Sequence, residues 1–216
     1  MKIDINKIQD KKRNLGQILT SPQIAAFMVK LSSKATGVNV LEPCAGEGVF
    51  YNTLVENNFS SVQAIEIDDS LIPTKFKNKI ICNDFLTYNF DKKFDLIIGN
   101  PPYVRWKHLT KETQNILINS SFWKNRINAL SDLLQTFIFK SVDLLNEGGE
   151  IIFITPFFWL QSLHAQKLRN FLIENGYFEI IIHFGEHKLF KDASTNNVIF
   201  KYIKDIILFY TKATYL

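Results

Sequence analysis

Long apolar stretches are missing from this chain. No run of eighteen apolar residues occurs in it, so a membrane-spanning helix is not expected. The opening residues, "MKIDINKIQDKKRN", lack the apolar core of a secretory signal, and a cytoplasmic location is the expectation. Cysteine is scarce: Cys44 and Cys82 are the only two. They sit in separate apolar segments, too few for a disulfide framework or a metal knuckle, and both are expected to be reduced. His164, His183 and His187 show no ligand spacing with cysteines or acids, so no metal is assigned. Internal repeats, low-complexity tracts and an interdomain linker are also lacking.

What is present is ordinary for a soluble globular protein. The 216 residues, 46% hydrophobic and 21% charged, are enough for one substantial domain with a sizeable core. A formal charge of +4 is compatible with a polyanionic partner, but alone decides nothing. "TSPQIAAFMVKLSSK" offers Ser21 as a cap, Pro22 at the first helical position, and Ile24, Phe27, Met28 and Leu31 at helical spacing. "VNVLEPCAGEGVF" then reads as strand, glycine-containing turn and helix start. "SVQAIEID", "KIIC" and "FDLIIG" read as three further strands. "SDLLQTFIFKSVDLL" is a helix capped by Ser131 or Asp132 and stopped by "NEGG", followed by the strand "EIIFITP". A helix over "HAQKLRNFLIEN", a strand over "YFEIIIHF" and a closing strand or hairpin from "NNVIFKYIK" with "DIILFYTK" complete the pattern.

Polar residues follow each of the first four strands: Glu42, Glu66 with Asp68, Asn83 with Asp84, and Asn100. Ligands of open α/β sheets bind beyond the carboxyl ends of the strands, so these tips would meet along one edge. The turn Glu42, Pro43, Cys44, Ala45, Gly46, Glu47, Gly48 lets a ligand approach the backbone, next to free helix N–H groups. It is weak evidence for any one cofactor. A nicotinamide enzyme would also show strand, glycines, helix and a later acid, here Glu66; a tight turn without ligand is a third possibility. Glu66 has the two oxygens needed for a pair of ribose hydroxyls. Asp84 could accept from an adenine amino group, and Phe85 could pack on the ring, although for Phe85 alone core packing is the better reading.

"GNPPY", Gly99 to Tyr103, decides between them. Two successive prolines end the strand and hold Asn100 and Pro101 in one stiff shape. Asn-Pro-Pro-Tyr arises by chance in a chain this long on the order of once in a thousand, taking about 5% for Pro. The segment resembles the catalytic motif of S-adenosylmethionine-dependent amino methyltransferases, and "EPCAGEG", "EID" and "NDF" are similar to their methionine-, ribose- and adenine-binding tips. "LGQILTSPQIAAFMV", "DLLQTFIFKSVDLLNEGGEIIFITPFFWL" and "LFKDASTNNVIF" narrow the resemblance to the gamma-class adenine-specific DNA methyltransferases of restriction-modification systems. It covers about residues 15–204.

That resemblance implies a Rossmann-like fold: a mostly parallel seven-stranded sheet, helices on both faces, and an antiparallel last strand. It implies S-adenosyl-L-methionine as cofactor, held by Thr20, Glu42, Pro43, Cys44, Ala45, Gly46, Gly48, Glu66, Ile67, Asp84, Phe85, Asn100 and Phe137. Catalysis would fall to Asn100, Pro101, Pro102 and Tyr103, with Tyr103 and Phe190 stacking on an adenine flipped out of double-stranded DNA. The whole chain, 1–216, is expected to be one catalytic domain, with an N-terminal segment and helix to residue 36 and a core over 37–204. A C-terminal target-recognition domain is expected to be absent, so a separate recognition domain or specificity subunit is an expected partner. Methylation of RNA bases or a protein glutamine, or a non-catalytic cofactor- or nucleic-acid-binding module, are the alternatives.

Overall fold

The computed structural model describes residues 20–120, 123, 126, 132–185 and 196–205. Helix α1, Pro22–Lys30, begins where the sequence asks: the Ser21 side chain accepts from the Ile24 amide at 3.3 Å and Pro22 opens the first turn. Then follow β1 (Asn39–Glu42), α2 (Val49–Glu56), β2 (Ser61–Glu66), β3 (Ile80–Cys82) and β4 (Phe94–Gly99). Helix α3 (Lys111–Asn119), capped by Thr110, follows the proline motif, and α4 (Leu133–Leu144) is capped by Asp132, which accepts from the Gln135 amide at 3.0 Å. Strand β5 (Leu145–Pro156), helix α5 (Gln166–Asn175), β6 (Gly176–His183) and β7 (Asn197–Lys204) complete the set. Among the described residues no helix is long and apolar enough to cross a membrane.

The seven strands form one sheet in the order β3-β2-β1-β4-β5-β7-β6. Strands β1 to β5 run parallel to one another, while β7 lies antiparallel between β5 and β6. Among the described residues the antiparallel strand is thus last in sequence and interior in the sheet, the rest of "DIILFYTK" after Asp205 lying outside them. "NEGG" does stop α4, yet it falls within the extent of β5. Between the pairs Phe94↔Leu145 and Leu96↔Glu150, β5 advances five residues for two of β4. Gly148, at φ +72°, allows that bulge.

Side-chain alternation divides the core between two faces. On β4, Leu96 and Ile98 face the layer that holds Ala25, Met28 and Val29 of α1 and Phe50 and Leu54 of α2, as do Ile152 and Ile154 of β5. Ile97, Ile151 and Phe153 point the other way, to Leu117 of α3, Phe137, Ile138 and Val142 of α4, and Leu168 and Leu172 of α5. Each Leu, Ile or Phe so buried contributes about 1.5–3 kcal/mol. Helix α1 packs on the first of these faces. Beyond its far end, Ser32 Oγ and the Ser33 amide bond Glu150 at 2.9 and 3.2 Å, and Lys201 pairs with the same carboxylate at 3.3 Å.

Strand order fixes where a site can form. The chain leaves β1 toward β2 and β3, then returns on the opposite side with β4 and β5. The crevice beyond the carboxyl ends of β1 and β4 is therefore the topological switch point. "EPCAGEG" follows β1 there and "NPPY" follows β4.

Candidate active site

The four strand tips are stitched to one another by hydrogen bonds. From the β1 turn, the Ala45 amide donates to the Ile65 carbonyl at 2.8 Å and the Gly46 amide to Glu66 Oε2 at 2.7 Å. The Asp68 amide donates to Glu66 Oε1 at 2.9 Å, and the Asn83 amide of the third tip reaches the Glu66 carbonyl at 2.9 Å. Across the switch point, the Cys44 thiol donates to the Asn100 carbonyl at 3.1 Å. Burial pushes that thiol well above its ordinary range, with the Glu42 and Glu66 charges adding to the rise.

Gly46 and Gly48 both have positive φ, +53° and +77°. Gly48 caps α2, and a Cβ there would come within 2.8 Å of the Phe76 ring. At Gly46 nothing lies within 4 Å of the Cβ direction, so the turn leaves space above its backbone. Beneath it sits Glu42, fully buried, neither oxygen having a hydrogen-bond partner among the described residues. Burial raises its carboxyl well above the usual range and Glu66 adds to the rise, while the Tyr51 backbone amide only partly opposes them. A carboxyl so placed must hold a proton or receive a donor from outside the protein.

Around the second and third tips, apolar surface accompanies the acids. Ile67 is 53% exposed beside Glu66, whose own carboxyl is raised by burial. Asp84 accepts from the Leu86 amide at 2.9 Å; burial raises its carboxyl and Lys140 pulls it back. Phe85 is 2% exposed, its ring centroid 4.8 Å from that of Phe137. The two rings that the resemblance gave to one adenine are thus brought together. Both also belong to the core, in line with the packing reading of Phe85.

At the fourth tip, the Asn100 carboxamide is bonded at both ends. Its Nδ2 donates to Thr20 Oγ1 at 3.1 Å, and the Tyr103 hydroxyl bonds its Oδ1. That hydroxyl also lies 2.8 Å from the Ile154 carbonyl at the end of β5, so one proton serves two acceptors. Burial pushes the phenol well above its ordinary value. Pro101 is buried and Pro102 half-buried. The loop beyond is held by the buried Val104, whose carbonyl accepts from the Leu133 amide at 2.8 Å, and by an antiparallel bridge from Arg105 to Asp132.

Thr20 therefore stands against Asn100, a contact that the sequence alone did not suggest. Ile154 was missed as well, because a backbone acceptor leaves no mark on residue type. Phe190 lies outside the described residues.

The chain matches the model of the Eco57I restriction-modification methylase over residues 23–190. It belongs to the Eco57I restriction-modification methylase family. Within that family's reach, the Type II methyltransferase M.HincII of Haemophilus influenzae is 43% identical over 197 residues, covering 91% of this chain and 38% of its own length. M.TthHB8I of Thermus thermophilus, also a Type II methyltransferase, is 32% identical over 202 residues, covering 89% of this chain and 46% of that protein. This methylase-family chain thus spans less than half the length of these two relatives. Among solved structures, the M protein of the type I restriction enzyme EcoKI superposes with a TM-score of 0.67 at 13% identity, over 94% of this chain and 47% of the other. The N-methyltransferase NodS of Bradyrhizobium japonicum gives 0.54 at 15% identity, over 85% and 95%. The fold is that of the S-adenosylmethionine-dependent methyltransferases.

Proposed function

We propose that this chain is the catalytic domain of an adenine-specific DNA methyltransferase of a restriction-modification system, with S-adenosyl-L-methionine as methyl donor. One observation carries the reading: Asn100, on the stiff Pro101–Pro102 turn, is tied through its backbone carbonyl by a single hydrogen bond from Cys44 to the turn above Glu42, whose oxygens have no partner among the described residues. The residues suit the cofactor. Glu42 would accept from its ammonium group, the Gly46 turn leaves room for the methionine portion, Glu66 would take the ribose hydroxyls, and Asp84 with Ile67 the adenine. When bound, the cofactor supplies a methyl group on a sulfonium, an electrophile needing no further activation.

What this chain must then do is make an aromatic amine nucleophilic. The lone pair of an adenine amino group is delocalised into the ring. With Asn100 Oδ1 and the Pro101 carbonyl each accepting one amino hydrogen, the nitrogen moves toward tetrahedral geometry and its lone pair turns outward. No base has to deprotonate it first; the surplus proton leaves after the methyl has arrived. The prolines fix both acceptors before substrate binds, so alignment entropy is lost ahead of the reaction. Tyr103 and Phe190 would stack on the extruded base, and such stacking is worth about 1–3 kcal/mol per base against the unstacking it must offset.

A DNA substrate places the protein in the cytoplasm, and sequence choice falls to a recognition domain or specificity subunit outside the catalytic fold. Labelled S-adenosylmethionine offered with duplex DNA, RNA and protein extract in parallel tests the reading. Label on DNA adenine supports it; label on RNA or protein alone refutes the DNA assignment.

A further inference from the structure

A lysine on α4, outside the residues assigned to the cofactor above, is bonded to the segment that follows the third strand tip. Lys140 lies one turn beyond Phe137 in the apolar run "LLQTFIFKSVDLL". Its ammonium donates to the Leu86 carbonyl at 2.9 Å and to the Tyr88 carbonyl at 2.8 Å, the second and fourth residues after Asp84. The Nζ also stands 5.2 Å from the Phe85 ring centroid and 5.4 Å from that of Phe90. Four contacts from one side chain thus fall on a single stretch, 85–90. That stretch leaves the third strand tip, where the Leu86 amide holds Asp84 and the Phe85 ring backs Phe137.

We propose that Lys140 is a positioning residue for the cofactor's adenine, clamping the turn that presents Asp84 and Phe85 through its bonds to the Leu86 and Tyr88 carbonyls. The proposal rests on the cofactor reading above and adds to it a residue that touches no ligand. The chemistry demands a charged clamp. A neutral amine offers one donor fewer and loses both the ring attraction and the pull on Asp84. Burial lowers the Lys140 ammonium to about 8, with Asp84 partly opposing that fall.

The clamp should therefore loosen in mildly alkaline solution. Facing Lys140 from the turn are Asp84 and Tyr88. The cavity of about 450 Å³ beside it takes Ile116 and Ser120 from the α3 side, Trp123, and Leu144 from α4 itself, none of them charged. The fold responds in the opposite sense. With a folded value of about 8 against an ordinary 10.5, the unfolded chain holds more protons between those limits, and this group's contribution to stability rises with pH there. Deprotonation of this group alone therefore gives the fold no reason to unfold in that window.

The test uses S-adenosylhomocysteine as probe, titrated calorimetrically from pH 6.5 to 9.5 into the wild-type chain, Lys140→Met and Lys140→Arg. The ligand's own titration cancels in the ratio of affinities. At pH 6.5 the wild type should bind about tenfold more tightly than Lys140→Met, the size of one hydrogen bond to a charged group. That advantage should shrink toward parity above about pH 9, while Lys140→Arg keeps it. Wild-type binding of 5′-methylthioadenosine, which has no group titrating in this range, should fall through the same window. Equal affinities at pH 6.5, or a deficit that does not change with pH, would overturn the positioning role alone. Failure of the wild type to bind either probe would overturn the cofactor reading and this proposal with it.

Discussion

At the tip of β4 the Asn100 carboxamide is bonded at both ends, to Thr20 and to Tyr103, whereas at the neighbouring tip of β1 both Glu42 oxygens are buried without a partner among the described residues. The two tips are joined by the Cys44–Asn100 bond and share one crevice. Their difference separates two tasks. A group that must act only in the transition state gains from being fixed in advance by the protein. A group that must attract a ligand gains from being left unsatisfied, since the ligand then relieves a cost that the fold carries without it.

The sharpest way to break this comparison is Asn100→Ala. Methyl transfer in a single turnover should fall roughly 10²- to 10³-fold or more, as for loss of a preorganised oxyanion donor, while S-adenosylmethionine affinity stays nearly unchanged. Parallel loss of both would erase the distinction between the tips. Glu42→Gln should do the reverse: affinity measured by calorimetry should weaken by about 1.5–3 kcal/mol, the range for a hydrogen bond to a charged group. Tyr103→Phe keeps the ring and deletes the hydroxyl that holds Asn100. Its expected effect is a fall in rate equivalent to about 0.5–1.5 kcal/mol with duplex affinity retained, and an equal loss in the two would point to the ring instead.

The smallest effect concerns stability without ligand. Because the folded Glu42 carboxyl is raised above its ordinary 4.5, the folded state holds the proton longer than the unfolded chain does. This contribution is fully present below pH 4.5 and is lost as pH rises toward the folded value. The melting temperature of Glu42→Gln should therefore lose less than wild type over that rise. Identical pH profiles for the two proteins would mean that Glu42 is not the unsatisfied group described here.

Much of this was legible in the residues, for identifiable reasons. Strand tips could be located because β-strand periodicity ends at polar residues in a fixed topology, and "NPPY" because two prolines leave the backbone few shapes. Less legible was what the side chains do when no ligand is present. Glu66 reads as a ribose acceptor, yet its oxygens already accept from the Gly46 and Asp68 amides. Replacing it with alanine would loosen two turns as well as a ligand contact. Lys140 reads as an ordinary helix lysine because its partners are backbone carbonyls far away in sequence. Composition and spacing carry no record of such partners.

Strand β7 has a consequence for the order in which the molecule can be built. It supplies the ladder partner of β6 and the outer partner of β5. On a ribosome, His183 completes β6 some 21 residues before Lys204 completes β7, a delay of roughly 1–4 s at about 5–20 residues per second. During that interval β5 presents an open edge, and β6, with Ile180, Ile181 and Ile182 in succession, has no strand between it and the sheet. An unpaired β-branched segment of that kind recruits other chains. The nascent protein should therefore be vulnerable to aggregation, and dependent on chaperones, in the seconds before β7 is inserted.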